Sequence, residues 1–152
     1  MTDLAVARLL HVVAVVLWIG GVAMVTMVVL PVARAARDPE QFLRVERLFA
    51  AQTRWTLVVA GASGLYMVQR MGLWPRFAEA GFWWMHAMVA LWLAYALALF
   101  LLEPLFLRQR FASRLARDPD GALRRMVRHH WLVLAVSLLT IAGAAAGSHG
   151  LL

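Results

Sequence analysis

LLHVVAVVLWIGG, residues 9–21, is apolar enough to lie in hydrocarbon, yet its third residue is an imidazole, His11. No formal charge follows until Arg34, so the apolar segment runs over residues 9–33. As a helix rising 1.5 Å per residue, such a segment covers the ~30 Å of a bilayer core. Three more stretches read the same way: about 49–69, with Arg54 in its first turn, then 80–102 and 129–152. The expectation is an all-α, four-helix transmembrane bundle in a single domain, 1–152, with helices near 4–33, 42–70, 80–106 and 121–149. Composition points to the same solvent. Hydrophobic residues make up 63% and charged residues 15%, against roughly half and a quarter in soluble chains. Residues 9–33 are too long for the core of a signal peptide and end at Pro31 and a basic loop, so this helix is expected to stay in the mature protein. There is no cysteine, which excludes disulfides, thiolate metal sites and cysteine nucleophiles. Glycine-rich phosphate loops, a serine elbow and paired carboxylates are missing too, leaving hydrolase and nucleotide-binding readings without residues.

The basic side chains set a topology. All fifteen are arginine, and twelve lie in two segments, Arg34 to Arg54 and Arg108 to Arg128. Arg8, Arg70 and Arg76 are the only others. The positive-inside rule places both basic loops in the cytoplasm and both termini on the periplasmic side of a bacterial inner membrane. Topology accounts for the arginines, so no nucleic-acid partner is expected; the lipid bilayer is the evident one.

The basic loops resemble each other. Arg34-Ala-Ala-Arg-Asp-Pro39 is followed by Leu43-Arg44, and Arg114-Leu-Ala-Arg-Asp-Pro119 by Leu123-Arg124. Asp38 and Asp118 stand where helix N-caps belong, with Pro39 and Pro119 at the first helical position. Each loop is preceded by a helix ending in proline, Leu30-Pro31 or Glu103-Pro104, and carrying a histidine near its opposite end, His11 or His86. The pattern is that of two repeated helical hairpins about an axis along the membrane normal.

His11 and His86 are expected at one depth, about two turns in from the periplasmic face. Ionisable groups at such positions are costly and face the bundle interior, so the pair is a candidate metal or cofactor site. A b-type haem would take both as axial ligands, with Arg8 and Arg70 for its propionates and Trp18 against the macrocycle. Gly20, Gly21, Gly61, Gly64, Gly143 and Gly147 could make room for it, or serve as close-packing positions. A copper site would instead add Met67, Met85 or Met88, with His149 as a supplement. A third alternative is a metal-free scaffold or subunit in which each histidine ties two helices together. His129 and His130 read as interfacial, Glu103 as solvated, and Trp74, Trp83, Trp84, Trp55 and Trp131 as two aromatic belts.

Several of these motifs lie together in a known pattern. Leu10-His11, Trp18-Ile19-Gly20-Gly21, Leu30-Pro31, Gly64-Leu-Tyr-Met67, Trp84-Met-His86-Ala-Met88 and the arginine-rich segment before the last helix resemble the short members of the copper resistance D (CopD) family over nearly the whole chain. The resemblance implies an inner-membrane four-helix bundle concerned with copper, His11 and His86 being the matching histidines. A more distant similarity is to HemJ-type haem-binding oxidases, whose third helix carries Trp-x-His-x-Lys. Here Met88 stands at the lysine position, which speaks against the oxidase activity and leaves haem ligation open. The function expected is a haem b protein in electron transfer, with copper binding or transport as the alternative. An electron-transfer partner or quinone would complete it, and a homo-oligomer is compatible with it.

Overall fold

A computed structural model describes residues 2–36, 39–107, 113–114 and 117–150. The helices are α1 (Thr2–Ala36), α2 (Pro39–Arg70), α3 (Ala80–Leu105) and α4 (Pro119–Ser148). A 3₁₀ turn over Trp74–Ala78 lies between α2 and α3. Cross-helix contacts fix an up-down-up-down order. Near one end His11 meets Ala60, and near the other Gly21 meets Phe49, so α1 and α2 are antiparallel. Arg54 with Glu103 and Leu57 with Trp92 orient α2 against α3. Tyr95 with Ser137 and Trp83 with Gly143 do the same for α3 and α4. Both termini therefore share one end of the bundle with the Trp74 turn, and both arginine-rich connections share the other. If the arginines set the orientation, a reporter fused after Leu152 is active only on the periplasmic side; cytoplasmic activity would reverse it.

Three of the four helices, α1, α3 and α4, are long and apolar enough to cross a membrane. α2 is long but less apolar, a departure from four equivalent spans. Its polar side chains bond to neighbouring backbone and side chains. Gln52 Nε2 donates to the Leu17 carbonyl at 3.3 Å, and the Thr56 hydroxyl to the Thr53 carbonyl at 3.0 Å. Arg54 pairs with Glu103. The core is Trp18, Ile19, Leu57 and Leu134, with Leu57 fully buried.

The two internal prolines have matching consequences. Pro31 has no N–H, and its ring would strike the carbonyl four residues back, at Met27. The chain widens into a π-turn over Val25–Val29, and the Leu30 N–H reaches back to the Val25 carbonyl. Pro104 lies within a longer π-segment, Leu97–Leu107. In that ladder N–H groups serve the carbonyl five residues back, so the proline leaves the Leu99 carbonyl without its donor. Arg54 Nε supplies one at 3.3 Å while its Nη2 holds Glu103 at 2.7 Å. One guanidinium thus repairs a broken helical ladder and neutralises a carboxylate, both of which an apolar surrounding makes costly to leave open.

The caps are partly visible. Asp118 Oδ1 accepts from the Gly121 N–H at 2.8 Å, and Pro119 opens α4. Pro39 opens α2 in the same manner. Asp38 lies outside the described residues.

Candidate functional site

The termini end of the bundle does not gather the sequence-derived site residues into one place. His11, half-buried on α1, donates from Nδ1 to the Ala60 carbonyl at 2.9 Å, with Ser63 Oγ a second acceptor at 3.2 Å. Gly64 makes this approach possible: a Cβ there would lie 3.2 Å from the imidazole. His86 is exposed on α3, and its Nε2 donates to the Phe77 carbonyl at 3.0 Å with the Phe77 ring edge-on. One histidine thus ties α1 to α2, and the other ties α3 to the preceding turn. Arg70 donates to Asp3, which also accepts from the Tyr66 hydroxyl at 2.8 Å. Arg8 is exposed. His149 closes its own helix, donating from Nδ1 to the Ala145 carbonyl at 2.8 Å. Met85 is buried and Met67 and Met88 are half-buried. Among the described residues no group of three or more His, Cys, Asp or Glu side chains could hold a metal ion.

The room for a macrocycle is taken by this chain's own side chains. The Trp92 indole fills the space beside Gly61, with a Cβ there only 2.6 Å from its ring, and Trp83 fills that beside Gly143. Trp84, expected at the interface, is buried and packs on Gly147. A macrocycle beside Gly61 or Gly143 would require Trp92 or Trp83 to move. His11 has the form of a ligand, as do His130 and His149, because a histidine whose Nδ1 donates to a backbone carbonyl has its Nε2 fixed as the acceptor.

The bundle axis is instead occupied by Trp18 and Tyr95, whose rings meet edge to face at 4.8 Å from opposite helices, α1 and α3. Trp18 Nε1 is buried and, among the described residues, has no hydrogen-bond partner. An orphaned N–H of this kind costs about 1–3 kcal/mol. Tyr95 turns its hydroxyl to Ser137 Oγ at 3.4 Å.

Below this pair, toward the arginine-rich connections, lies a cavity of about 170 Å³. Glu46 and Thr53 reach it from α2, Tyr95 from α3, and His129 and His130 from α4; the rest of its wall is apolar or backbone. The two imidazoles are 6.0 Å apart and nearly perpendicular. His130 Nδ1 donates to the Met126 carbonyl at 3.0 Å, leaving Nε2 as acceptor. Water occupies ~30 Å³ per molecule, so the cavity suits a few waters or a small solute. Sequence reading placed these histidines at the interface and treated Glu103 as solvated. In the fold the histidines border a partly open cavity, with His129 itself exposed, and the Glu103 side chain is only 13% exposed, one turn beyond Leu99 in the cavity wall. The available signal was intramembrane charge on facing helices, Arg54 against Glu103.

Fold and site together define an all-α bundle of membrane-spanning character with ionisable groups inside it. Residues 13–115 match the family model of a domain of unknown function, DUF4149. The match covers more than half of the chain, which therefore belongs to that family. No curated protein and no solved structure matches it.

Proposed function

We propose that this chain is an integral protein of the bacterial inner membrane with a proton-linked transport function, and that Glu46, His129 and His130 form its proton-exchanging entrance. The observation that carries this reading is their convergence, from two helices, on one cavity at the end bearing the arginine-rich connections. Carboxylate and imidazole inside a membrane bundle are expensive, and such groups mark ion and proton routes. Past the cavity the buried hydroxyls of Thr53, Thr56 and Ser63 on α2, and of Ser137 and Thr140 on α4, lead toward His11. Ser63, Ser137 and Thr140 each donate to the carbonyl four residues back, at 2.6–2.9 Å, so their oxygens can accept, as Ser63 does from His11 and Ser137 from Tyr95. The orphaned Trp18 N–H lies one turn from Gly21 and Val22 in the cavity wall and gives an internal water an acceptor's position. Infrared difference spectra across a pH step should contain a carboxyl band that Glu46→Gln removes. Spectra identical for wild type and variant would rule out Glu46 as an exchanging group.

A second reading keeps His11 and His86 as ligands of haem b or copper. It is favoured by the His11 Nδ1 bond to Ala60, which suits a ligating imidazole, and it requires His86 to leave Phe77. Purified protein with a Soret band, lost in both His11→Ala and His86→Ala, would support haem; a colourless protein with no bound copper would dismiss both cofactors.

A further inference from the structure

The first turns of α4 carry a charge pattern that membrane orientation does not require. Arg124, Arg125 and Arg128 fall close together in the chain and are all exposed. At 3.6 residues per turn they share one side of the helix with Leu132, Ala135 and Leu139. The opposite side bears Leu123, Met126, Val127 and Leu134, which pack into the bundle. Leu132 and Leu139 are 63% and 70% exposed, and the stripe from Arg128 to Leu139 runs for about 17 Å, close to the depth of one leaflet. A positive-inside bias would be met by arginine or lysine anywhere in the connection. Spacing the charges three and four apart is a cost instead, because Arg128 stands against both Arg125 and Arg124 on the helix surface, where like charges repel. Among the described residues none of the three has a hydrogen-bond or ion-pair partner to offset it. Asp120, one turn before Arg124, does not pair with it, and Asp118 holds the Gly121 N–H.

We infer that this stripe seats an anionic phospholipid, a phosphatidylglycerol, with its phosphate on the Arg124, Arg125 and Arg128 guanidiniums and an acyl chain along Leu132, Ala135 and Leu139. Guanidinium N–H donors pair two at a time with phosphate oxygens, a geometry that lysine does not reproduce. The headgroup's net negative charge offsets the repulsion among the three cations. A zwitterionic phosphatidylethanolamine brings an ammonium to the same cluster and leaves the repulsion in place. The apolar run directly below the cluster favours a lipid over a free phosphate. The inference concerns the outward face of α4 and does not depend on the proton-linked reading.

The test is native mass spectrometry of the detergent-solubilised full chain, equilibrated with equal amounts of phosphatidylglycerol and phosphatidylethanolamine. The wild type should retain one phosphatidylglycerol in preference by about fivefold, the effect of one unit of charge beside basic side chains at a membrane surface. Arg125→Gln with Arg128→Gln should abolish the preference, and Arg125→Lys with Arg128→Lys should leave it between the two. Both positions are exposed and ten of the twelve arginines in the basic connections remain, so the melting temperature should not fall. Arg8→Gln with Arg76→Gln removes the same charge from exposed positions at the other end of the bundle and should leave the preference unchanged. An excess of inorganic phosphate should not displace the lipid. Equal retention of the two lipids by the wild type, a lysine pair equal to the wild type, or the same loss in the Arg8 and Arg76 pair would overturn the proposal in favour of bulk charge attraction. Displacement by phosphate would overturn it as well, leaving a site for free anions.

Discussion

Arg54→Met is expected to destabilise the bundle by about 2–3 kcal/mol, less than the ~3–5 kcal/mol for breaking a fully buried ion pair because the Arg54 side chain is 34% exposed. Two groups lose their donor at once: the Glu103 carboxylate, bonded at 2.7 Å, and the Leu99 carbonyl, which Pro104 cannot serve. These losses separate in a double variant. Arg54→Met with Glu103→Leu removes the stranded charge and leaves the stranded carbonyl, which is worth about 1–3 kcal/mol. It should therefore recover part of the stability and not all of it. Unfolding free energies from titration with SDS in mixed micelles measure both. Single and double variants equal to wild type would mean that the guanidinium holds neither group.

Gly61→Leu should cost about 3 kcal/mol. A Cβ at Gly61 would stand 2.6 Å from Trp92 Cζ2, well inside the ~3.5–4.0 Å of optimal carbon contact. The indole has to leave, giving up the 2.8 Å bond from Nε1 to the Leu57 carbonyl. Overpacking contributes about 1–3 kcal/mol and the lost hydrogen bond about 1. Gly20 is the control, because a Cβ there meets nothing within 4 Å. Replacing glycine by alanine inside a helix ordinarily stabilises by about 0.5–1 kcal/mol. Gly20→Ala should follow that rule and Gly61→Ala should break it, so the same substitution is expected to take opposite signs on two helices. Melting temperatures of the two alanine variants suffice to compare them.

These residues show what was readable in the chain. The 9–33 run, the Asp118-Pro119 cap and the two arginine-rich connections are local signals, and they produced the helices to within three residues of their ends together with the common end for both termini. The bundle interior was not local. Whether a glycine admits a cofactor or a neighbour depends on which tryptophan faces it, and Trp92 faces Gly61 from a helix thirty-one positions away. The sequence marks His11 and His86 as one candidate pair, whereas their hydrogen-bond partners, Ala60 and Ser63 on α2 for His11 and Phe77 for His86, are set by the fold. Glu103 could be recognised as paired only once Arg54 lay opposite it. His129 is exposed, as an interfacial residue would be, and only the fold shows that it and His130 share a cavity with Glu46.

The two prolines that follow the apolar runs of α1 and α3 both accompany π-helical turns. Pro31 and Pro104 each follow or interrupt a π-turn, on the two helices that lie diagonally across the bundle. Only the second of these needs a guanidinium. In α1 the wide turn re-forms its ladder, since the Leu30 N–H already reaches Val25. A shorter π-turn and a nearby helix restart make that possible, and the longer π-segment of α3 does not.

Proton flux through the reconstituted protein tests the central claim most directly. Liposomes loaded with a pH-sensitive dye and clamped with potassium and valinomycin report the decay of an imposed pH gradient. Wild-type proteoliposomes should acidify several times faster than protein-free liposomes, with Glu46→Gln and His130→Gln returning the rate to background while Trp131→Phe, outside the cavity wall, leaves it unchanged. A wild-type rate equal to that of protein-free liposomes would contradict the account and reduce the cavity to a packing feature of the bundle.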